Sequence, residues 1–145
     1  MEFREYKIAD ASACLALFDA NTPPYFDPSE RPLFAKFLEN PEGHYFVLKQ
    51  GGEISGCGGY RSFENGQAVF TWGMVAPDYH GAGLGRKLTE HRLGIIAAEG
   101  SYTGVRVHTS PMIEPFFNHM GFVTLRTQKD GFAPSMDKVY MEMAL

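Results

Sequence analysis

Glycines alternate at positions 81, 83 and 85 of the chain, and the basic residues Arg86 and Lys87 follow them directly. An apolar run typical of a strand ends at Val75, before the glycines, and a helical pattern begins after them. The first turn of a helix leaves backbone N–H groups without partners and has a partial positive charge. Glycine lets the backbone approach a ligand closely at such a turn. The spacing therefore predicts a phosphate-binding turn between a strand and a helix.

Two familiar phosphate motifs do not fit this turn. The phosphate loop of nucleoside triphosphatases requires Gly-Lys-Ser/Thr after its first glycine and four residues, but Arg86 stands at the fifth position after Gly81. The dinucleotide fingerprint requires a two-residue gap before its last glycine, whereas a single residue separates Gly83 from Gly85. The turn therefore points to another kind of phosphorylated ligand.

The segment from Val75 to Leu88 resembles the acetyl-coenzyme A loop of the GNAT N-acetyltransferase superfamily. That loop is written Val-x-Pro-x-Tyr-Arg/Gln-Gly-x-Gly-x-Gly/Ala, followed by a basic and an aliphatic residue. The residues that match are Val75, Pro77, Tyr79, Gly81, Gly83, Gly85, Arg86 and Leu88. A second segment, Phe116–Phe122, resembles the family's short helix that ends in Gly-Phe before the next strand. The resemblance covers Val69–Phe122.

Composition limits the alternatives. A chain of 145 residues fits a single domain, here residues 1–145, and 44% hydrophobic with 21% charged residues is typical of an ordinary globular protein. A net charge of −4 predicts no general attraction to nucleic acid or to anionic membranes. Cys14 and Cys57 lie far apart in the sequence without metal-ligand spacing, which favours reduced thiols. With no signal peptide and no membrane span in the sequence, we expect a cytoplasmic protein.

Hydrophobic periodicity and turn residues predict an α/β fold with the order β-α-α-β-β-β-α-β-α-β-β. It would form one mixed, mostly antiparallel sheet of six to seven strands with helices on both faces, which is also the GNAT order. The predicted strands are Glu2–Ile8, His44–Lys49, Glu53–Phe63, Gln67–Val75, Val105–Thr109, Phe122–Thr127 and Lys138–Met143. The predicted helices are one capped by Asp10 that runs to Ala20, one capped by Ser29 that ends before Asn40, one after the glycines that runs to Glu99, and Ile113–Met120.

The resemblance implies that acetyl-CoA is the co-substrate. Backbone N–H groups between Gly81 and Arg86 would hold the pyrophosphate, and the strand carrying Met74 would pair with the pantetheine arm. That strand leaves its neighbour at a bulge whose N–H faces the thioester, and Gly73 suits such a bulge. The implied coenzyme-binding residues are Met74, Val75, His80, Gly81, Ala82, Gly83, Leu84, Gly85, Arg86, Ser110 and Phe117.

The sequence departs from the family pattern at three of these positions. His80 replaces the usual Arg or Gln, so a side-chain contact to phosphate would depend on pH. Ser110 replaces the Asn of many members and can still hydrogen-bond the pantetheine arm. Phe117 replaces the Tyr that is the usual candidate general acid, and it cannot donate a proton. Phe117 is either core packing or a wall against the coenzyme.

The sequence identifies no certain general base. A primary amine with a pKa near 10.4 must lose a proton before it attacks. The strand before the glycines lacks the acidic residue that the family often has there, which leaves His108 on the next strand and Glu64 at a hairpin as candidates. His108 is alternatively a hydrogen-bonded strand residue, and Tyr140 is a candidate substitute acid by analogy. No His spacing indicates a metal site.

The acceptor side is the least specified part of the sequence. The resemblance implies that the loops Asn21–Pro28 and Lys129–Asp137 form the walls of the acceptor pocket. These loops contain three aromatic residues, Tyr25, Phe26 and Phe132. Their rings would either stack on an acceptor or pack as a lid. We therefore expect an N-acetyltransferase that acts on a small-molecule or peptide amine by direct attack in a ternary complex, with a homodimer as one possible assembly. The alternatives are an acyl-CoA-binding module without turnover and a nucleotide-binding domain.

Overall fold

The computed structural model describes residues 1–145, which form one seven-stranded sheet and four α-helices. The strands are β1 Glu2–Glu5, β2 His44–Gln50, β3 Glu53–Ser62, β4 Gln67–Val75, β5 Gly104–Thr109, β6 Val123–Ala133 and β7 Met136–Ala144. The helices are α1 Ala11–Ala20, α2 Arg31–Glu39, α3 Leu84–Glu99 and α4 Glu114–His119. The predicted fold class and element order are confirmed.

The sheet order is β1-β2-β3-β4-β5-β7-β6, and every neighbouring pair is antiparallel except β4 and β5. These two are parallel because α3 crosses over between them. Their pairing covers only Gln67–Val69 against Gly104–Arg106, and no further pairs follow along either strand. A gap therefore opens in the middle of the sheet towards the carboxyl ends of β4 and β5.

The two faces of the sheet carry separate cores. Ile96 of α3 and Phe117 of α4 pack on one face with Phe70, Val105 and Val107, and we call this the α3 face. Helices α1 and α2 pack on the opposite face, the α1–α2 face, in a cluster whose sheet residues come from β2, β3 and β4. Strands β5, β7 and β6 contribute nothing to that cluster, so the α1–α2 face lacks a helical cover there.

The start of α2 differs from the prediction. Asp27, and not Ser29, is the capping residue, because the Asp27 carboxylate accepts the Ser29 N–H at 3.0 Å and the Glu30 carboxylate accepts the Asp27 N–H at 2.9 Å. This reciprocal pair closes a short 3-10 turn, Pro28–Glu30, before α2 begins. The position of Glu30 is therefore fixed at the helix start.

The predicted loop Lys129–Asp137 is mostly strand. β6 continues to Ala133 and β7 begins at Met136, so the two strands form a long hairpin with a tight turn. Gly131 and the positive φ of Asp130 (55°) mark an irregularity inside β6, which explains why the composition is typical of a loop.

No helix combines the length and apolar character needed to cross a bilayer.

Candidate functional site

A cavity of about 910 Å³ occupies the gap between β4 and β5. Its walls include Leu88 and Phe117 from the α3 face and Phe37 and Trp72 from the α1–α2 face. The cavity therefore passes through the sheet, so two molecules entering from opposite faces can meet inside it. The glycine turn stands at one of its ends.

A β-bulge sets the course of β4 along this cavity. Cys57 of β3 pairs with Met74 and Gly59 pairs with Thr71, so Gly58 alone faces both Trp72 and Gly73. The predicted bulge at Gly73 is present, although the strained residue is Trp72, with φ at 39°. Beyond Val69 the β5-facing edge of β4 has no strand partner, so its polar groups are available to an extended ligand.

The glycine turn leaves backbone N–H groups free at the start of α3. Gly81 and Gly83 have φ at 82° and 86°, and a side chain placed at either position would meet open space. The first bond into the helix runs from the Lys87 N–H to the Gly83 carbonyl at 3.1 Å. Five N–H groups make no backbone hydrogen bond: Gly81, Gly83, Leu84, Gly85 and Arg86. Such a row binds an anion.

Two residues of the predicted turn are engaged within the chain. The Ala82 N–H donates to the Tyr79 carbonyl at 3.1 Å and closes the turn before the helix. The His80 side chain lies with Nε2 3.0 Å from the Val75 carbonyl, which also accepts from Asn21 Nδ2 at 3.1 Å. His80 therefore ties the turn to the end of β4.

Arg92 is a buried cation beneath the bulge. Its side chain projects from α3 against Phe70, with the guanidinium carbon 3.8 Å from the ring centroid, and Nη1 donates to the Gly59 carbonyl at 3.2 Å. A Cβ on Gly73 would come within 3.1 Å of Nη2, so glycine at that position makes room for the guanidinium. Burial lowers the pKa of Arg92 to about 10, which leaves it charged at neutral pH. No carboxylate pairs with it.

The sequence places Arg92 near the glycine turn as a local positive charge, but its burial was not predicted, although a signal was present. It follows Leu84 and Leu88 at intervals of four and precedes Ile96 at the same interval, so it occupies the inward face of α3. An arginine in this inward-facing row indicates a functional role more strongly than a leucine would, because burying an unpaired charge costs free energy.

Unpartnered polar atoms concentrate in the cavity walls. Six buried side-chain polar atoms in the structure lack a hydrogen-bond partner, and four of them belong to cavity residues: Thr71, Arg92, His108 and Ser110. The Ser110 hydroxyl is one of these, at the end of β5 where the sequence predicts a contact to a ligand. Phe117 is both a core residue, with its ring 5.3 Å from that of Phe122, and part of the wall.

His108 lines the cavity on the α1–α2 face, and its Nε2 is among the unpartnered atoms. Burial, followed by the charges of Lys138, Arg106, Arg61 and Arg126, lowers the pKa of His108 to about 4. The imidazole is therefore neutral at physiological pH and has a free nitrogen to accept a proton.

The other two acid–base candidates from the sequence lie outside the cavity walls. Glu64 sits in the exposed β3–β4 turn, at the opposite end of these strands from the glycine turn. Tyr140 donates its hydroxyl to Gln128 at 2.9 Å, and its ring centroid is 4.6 Å from that of His108. Tyr140 therefore adjoins the cavity residues His108 and Lys138 without lining the cavity itself.

Glu30 is a residue that sequence reasoning missed. It lines the cavity beside Phe26, Phe37 and Trp72, and it is buried without a salt bridge. Desolvation is the main cause of the raised pKa of its carboxyl group. Its pattern in the sequence indicates only a helix start, so burial against the cavity was not visible.

Comparison with known proteins decides the family. The family model described as the acetyltransferase (GNAT) family matches residues 13–122, which is most of the chain. The chain belongs to the GNAT acetyltransferase family. It is therefore an acyltransferase, and the family uses acetyl-CoA as donor. No curated protein matches the sequence.

Solved structures of GNAT proteins share the fold at low sequence identity. A protein from Desulfovibrio desulfuricans described as an acetyltransferase of the GNAT family superposes with a TM-score of 0.84 at 18% identity, covering 99% of this chain and 98% of that one. Ribosomal-protein-S18-alanine N-acetyltransferase from Escherichia coli gives 0.82 at 17%, covering 99% and 92%. An aminoglycoside 6′-N-acetyltransferase complexed with coenzyme A gives 0.79 at 11%, covering 99% and 97%.

The residues of the cavity fit acetyl-CoA. A row of free N–H groups suits a pyrophosphate, the unpaired edge of β4 suits the amides of an extended arm, and the Ser110 hydroxyl lacks a partner beside that edge. No three His, Cys, Asp or Glu residues are arranged to hold a metal ion.

Proposed function

We propose that residues 1–145 act as one domain that transfers an acetyl group from acetyl-CoA to a primary amine by direct attack in a ternary complex. The observation that supports this most is the cavity that passes through the sheet between β4 and β5. Its α3 side, with the glycine turn, is the donor side in this proposal. Its α1–α2 side is the acceptor side.

On the donor side the backbone holds the coenzyme. The free N–H groups of the turn between Gly81 and Arg86 bind the pyrophosphate, with Ala82 excluded because its N–H is already bonded. The β4 edge near Met74 and Val75 binds the amides of the arm, and Ser110 Oγ adds a side-chain hydrogen bond. His80 acts indirectly, by fixing the turn against β4.

The bulge and Arg92 supply positive charge where the reaction develops negative charge. Acetyl-CoA supplies an acetyl thioester, whose carbonyl oxygen and sulfur gain negative charge as the amine attacks. A backbone N–H aimed at such an oxygen contributes about 3–4 kcal/mol. Because Phe117 cannot donate a proton, we infer that the Arg92 cation stabilises the departing thiolate instead. A thiolate with a pKa near 8.5 is already a fair leaving group.

On the acceptor side His108 and Glu30 are the groups that can take up the proton of the amine. His108 offers a neutral imidazole with a free Nε2, and Glu30 offers a carboxylate whose pKa is raised towards that of a useful base. Both line the cavity beneath the aromatic walls. Because its pKa of about 4 makes His108 the weaker base, we assign the proton to Glu30, and His108 serves as a neutral hydrogen-bond acceptor at the edge of the gap.

Direct transfer is favoured over a covalent acyl-enzyme. The two cysteines are the strongest nucleophiles of the chain, but Cys14 and Cys57 are fully buried in the core under α1 and do not line the cavity. A hydrogen bond with Cys57 and burial raise the pKa of Cys14, which makes its thiolate still less accessible.

Steady-state kinetics test the proposal. Release of free coenzyme A thiol, measured with acetyl-CoA and a panel of amino acids, polyamines, aminoglycosides and peptide N-termini, is expected for at least one amine. Initial rates at several concentrations of both substrates should give intersecting lines in a double-reciprocal plot. Parallel lines would indicate a covalent intermediate and contradict direct attack.

One observation favours an alternative function, an acyl-CoA-binding module with little turnover. Phe117 occupies the position of the usual proton donor of the family, so the site lacks that group. This alternative predicts tight coenzyme binding by calorimetry without thiol release for any amine of the panel. Measuring binding and release on the same sample separates the two functions.

A further inference from the structure

The uncovered part of the α1–α2 face carries a concentration of positive charge. Four cationic side chains lie around His108 and disfavour its protonation: Arg61, Arg106, Arg126 and Lys138. The chain as a whole has a net charge of −4, so the positive charge of this cluster is opposite in sign to the net charge of the protein. We call it the cationic cluster.

Aromatic rings hold the four cations in place on either side of His108. The Phe63 ring centroid is 5.8 Å from that of His108, and the guanidinium carbons of Arg61 and Arg106 are each 5.7 Å from the Phe63 ring. A cation–π contact of this kind favours the guanidinium rotamers that lie near the ring.

The second ring, Tyr140, lies on the other side of His108. The Arg126 guanidinium stacks on it at 3.8 Å, and Lys138 Nζ is 5.2 Å from its centroid. Neither Arg126 nor Lys138 forms a salt bridge. Two of the four charges therefore lie against the ring without a salt bridge.

Glu30 lines the same cavity and interacts electrostatically with Lys138 without forming a salt bridge, whereas the carboxylates on the sheet beside the cluster are engaged elsewhere or exposed. Glu142 accepts from Gln67 Nε2 at 2.5 Å and lies 3.5 Å from Arg106 Nε. Glu42 is 77% exposed and reaches Arg61 only at 3.9 Å. A surface pair of this kind contributes little and leaves most of the field of the cation unopposed.

The cationic cluster borders the acceptor side of the cavity, because Arg61 and Lys138 line the cavity together with His108. We propose that the acceptor is an anionic amine, a small molecule or peptide that carries a carboxylate close to its reactive primary amine. This inference rests on the proposed function and specifies its substrate class. The carboxylate would lie against Lys138 and Arg61 while the amine points into the gap beside His108.

The same charges assist the chemistry. Cations near an ammonium group disfavour its charged form, so a bound amine loses its proton more readily beside the cluster than in water. The carboxylate of the acceptor offsets the repulsion that a positively charged amine meets on entry. An acceptor with a second positive charge would meet that repulsion without compensation.

Three amines of matched length test the inference: 4-aminobutyrate, 4-amino-1-butanol and 1,4-diaminobutane, which differ in the charge of the far end. At saturating acetyl-CoA, kcat/KM for thiol release is expected to fall in that order. Lys138→Met is expected to raise KM for 4-aminobutyrate about three- to ten-fold and to leave KM for 4-amino-1-butanol unchanged. Lys36→Met removes an exposed cation of α2 outside the cavity and serves as the matched control.

The outcomes separate this inference from the proposed function. Two results would contradict an anionic acceptor and leave the transferase function standing. One is higher activity with 1,4-diaminobutane or 4-amino-1-butanol than with 4-aminobutyrate. The other is an equal change in KM for all three amines in Lys138→Met. Absence of thiol release with all three amines and with the wider panel, despite tight coenzyme binding, would overturn both. If added salt lowers the rate with 4-aminobutyrate but not with 4-amino-1-butanol, the result would support binding of the carboxylate at the cationic cluster.

Discussion

The donor side of the cavity is built from backbone, whereas the acceptor side is built from side chains. The glycine turn and the edge of β4 present N–H and C=O groups that any sequence with the same turn would present. The acceptor walls come from the α1–α2 loop, β3, β4, β5 and the β6–β7 hairpin, and each adds particular side chains. The donor of such a fold can therefore stay constant while its acceptor changes.

The two sides also differ in how they place charge. On the donor side one cation, Arg92, is buried and fixed under the bulge. On the acceptor side four cations lie at exposed or partly exposed positions around His108. A buried charge acts strongly over a short range, and exposed charges act weakly and additively. Substitutions on the two sides should therefore affect different kinetic constants.

The largest effect is expected at the glycine turn. Gly83→Glu forces a side chain onto a residue with φ at 86° and places a carboxylate among the free N–H groups. We expect coenzyme affinity to fall by at least about 100-fold, because both strain and like charge oppose binding. Calorimetric titration with coenzyme A measures it. Gly94→Glu, at an exposed and open position of the same helix, is the control. Unchanged affinity for coenzyme A in Gly83→Glu would contradict the proposed binding of coenzyme A at the glycine turn.

Removing the buried cation should change turnover more than binding. A unit charge acting over roughly 8 Å at an effective dielectric constant of about 20 contributes about 2 kcal/mol, which corresponds to a rate factor of about 30. We therefore expect Arg92→Leu to lower kcat about 10- to 100-fold with little change in coenzyme affinity, and Arg92→Lys to recover part of the rate. Melting temperatures of both variants check that the fold is intact. Equal losses in the two variants would show that Arg92 acts by shape alone.

On the acceptor side, Phe132→Ala should raise KM for the amine about ten-fold at most and leave coenzyme affinity unchanged. Phe132 lines the cavity from the β6–β7 hairpin, with Lys138 Nζ 5.5 Å from its ring centroid. Phe63→Ala, on a ring outside the cavity walls, is a useful comparison. A change in coenzyme affinity in Phe132→Ala would break the separation of the two sides.

The last prediction concerns the dependence of stability on pH. The pKa of His108 is about 4 in the folded protein and near 6.5 in the unfolded chain, so the unfolded chain binds a proton first on acidification. The contribution of neutral His108 to stability is complete above about pH 6.5 and is lost as the pH falls towards 4. Urea unfolding at several pH values should give a smaller decline for His108→Asn than for the unmodified chain. Parallel declines would contradict the low pKa.

The donor side was largely predictable because its signals are local. The glycine spacing between Val75 and Leu88 predicts the turn, the helix start and the family, and β4 was predicted with its observed bounds. Asn65–Gly66 predicts the hairpin before β4, and both residues have positive φ. Each of these signals depends on residues within a few positions of one another.

The acceptor side was predictable only in part. The resemblance places Tyr25, Phe26 and Phe132 in its walls, and all three line the cavity, but its charged residues meet only through the fold. Glu30 belongs to a helix start by sequence, and its burial beside Trp72 depends on how α2 packs on the sheet. The cationic cluster joins residues of four strands, among them Arg61 and Lys138, which are 77 positions apart in the chain. Strand order and register bring them together, and neither follows from local spacing.

The Val75 carbonyl connects the α1–α2 loop to the glycine turn. It accepts hydrogen bonds from Asn21 at the start of the α1–α2 loop and from His80 in the glycine turn, and the Tyr25 ring rests edge-on against His80 with centroids 5.0 Å apart. A movement of the glycine turn when a pyrophosphate binds would therefore also displace the α1–α2 loop, which forms one wall of the proposed amine pocket. We therefore expect bound coenzyme to change the affinity of the protein for the amine through this shared acceptor.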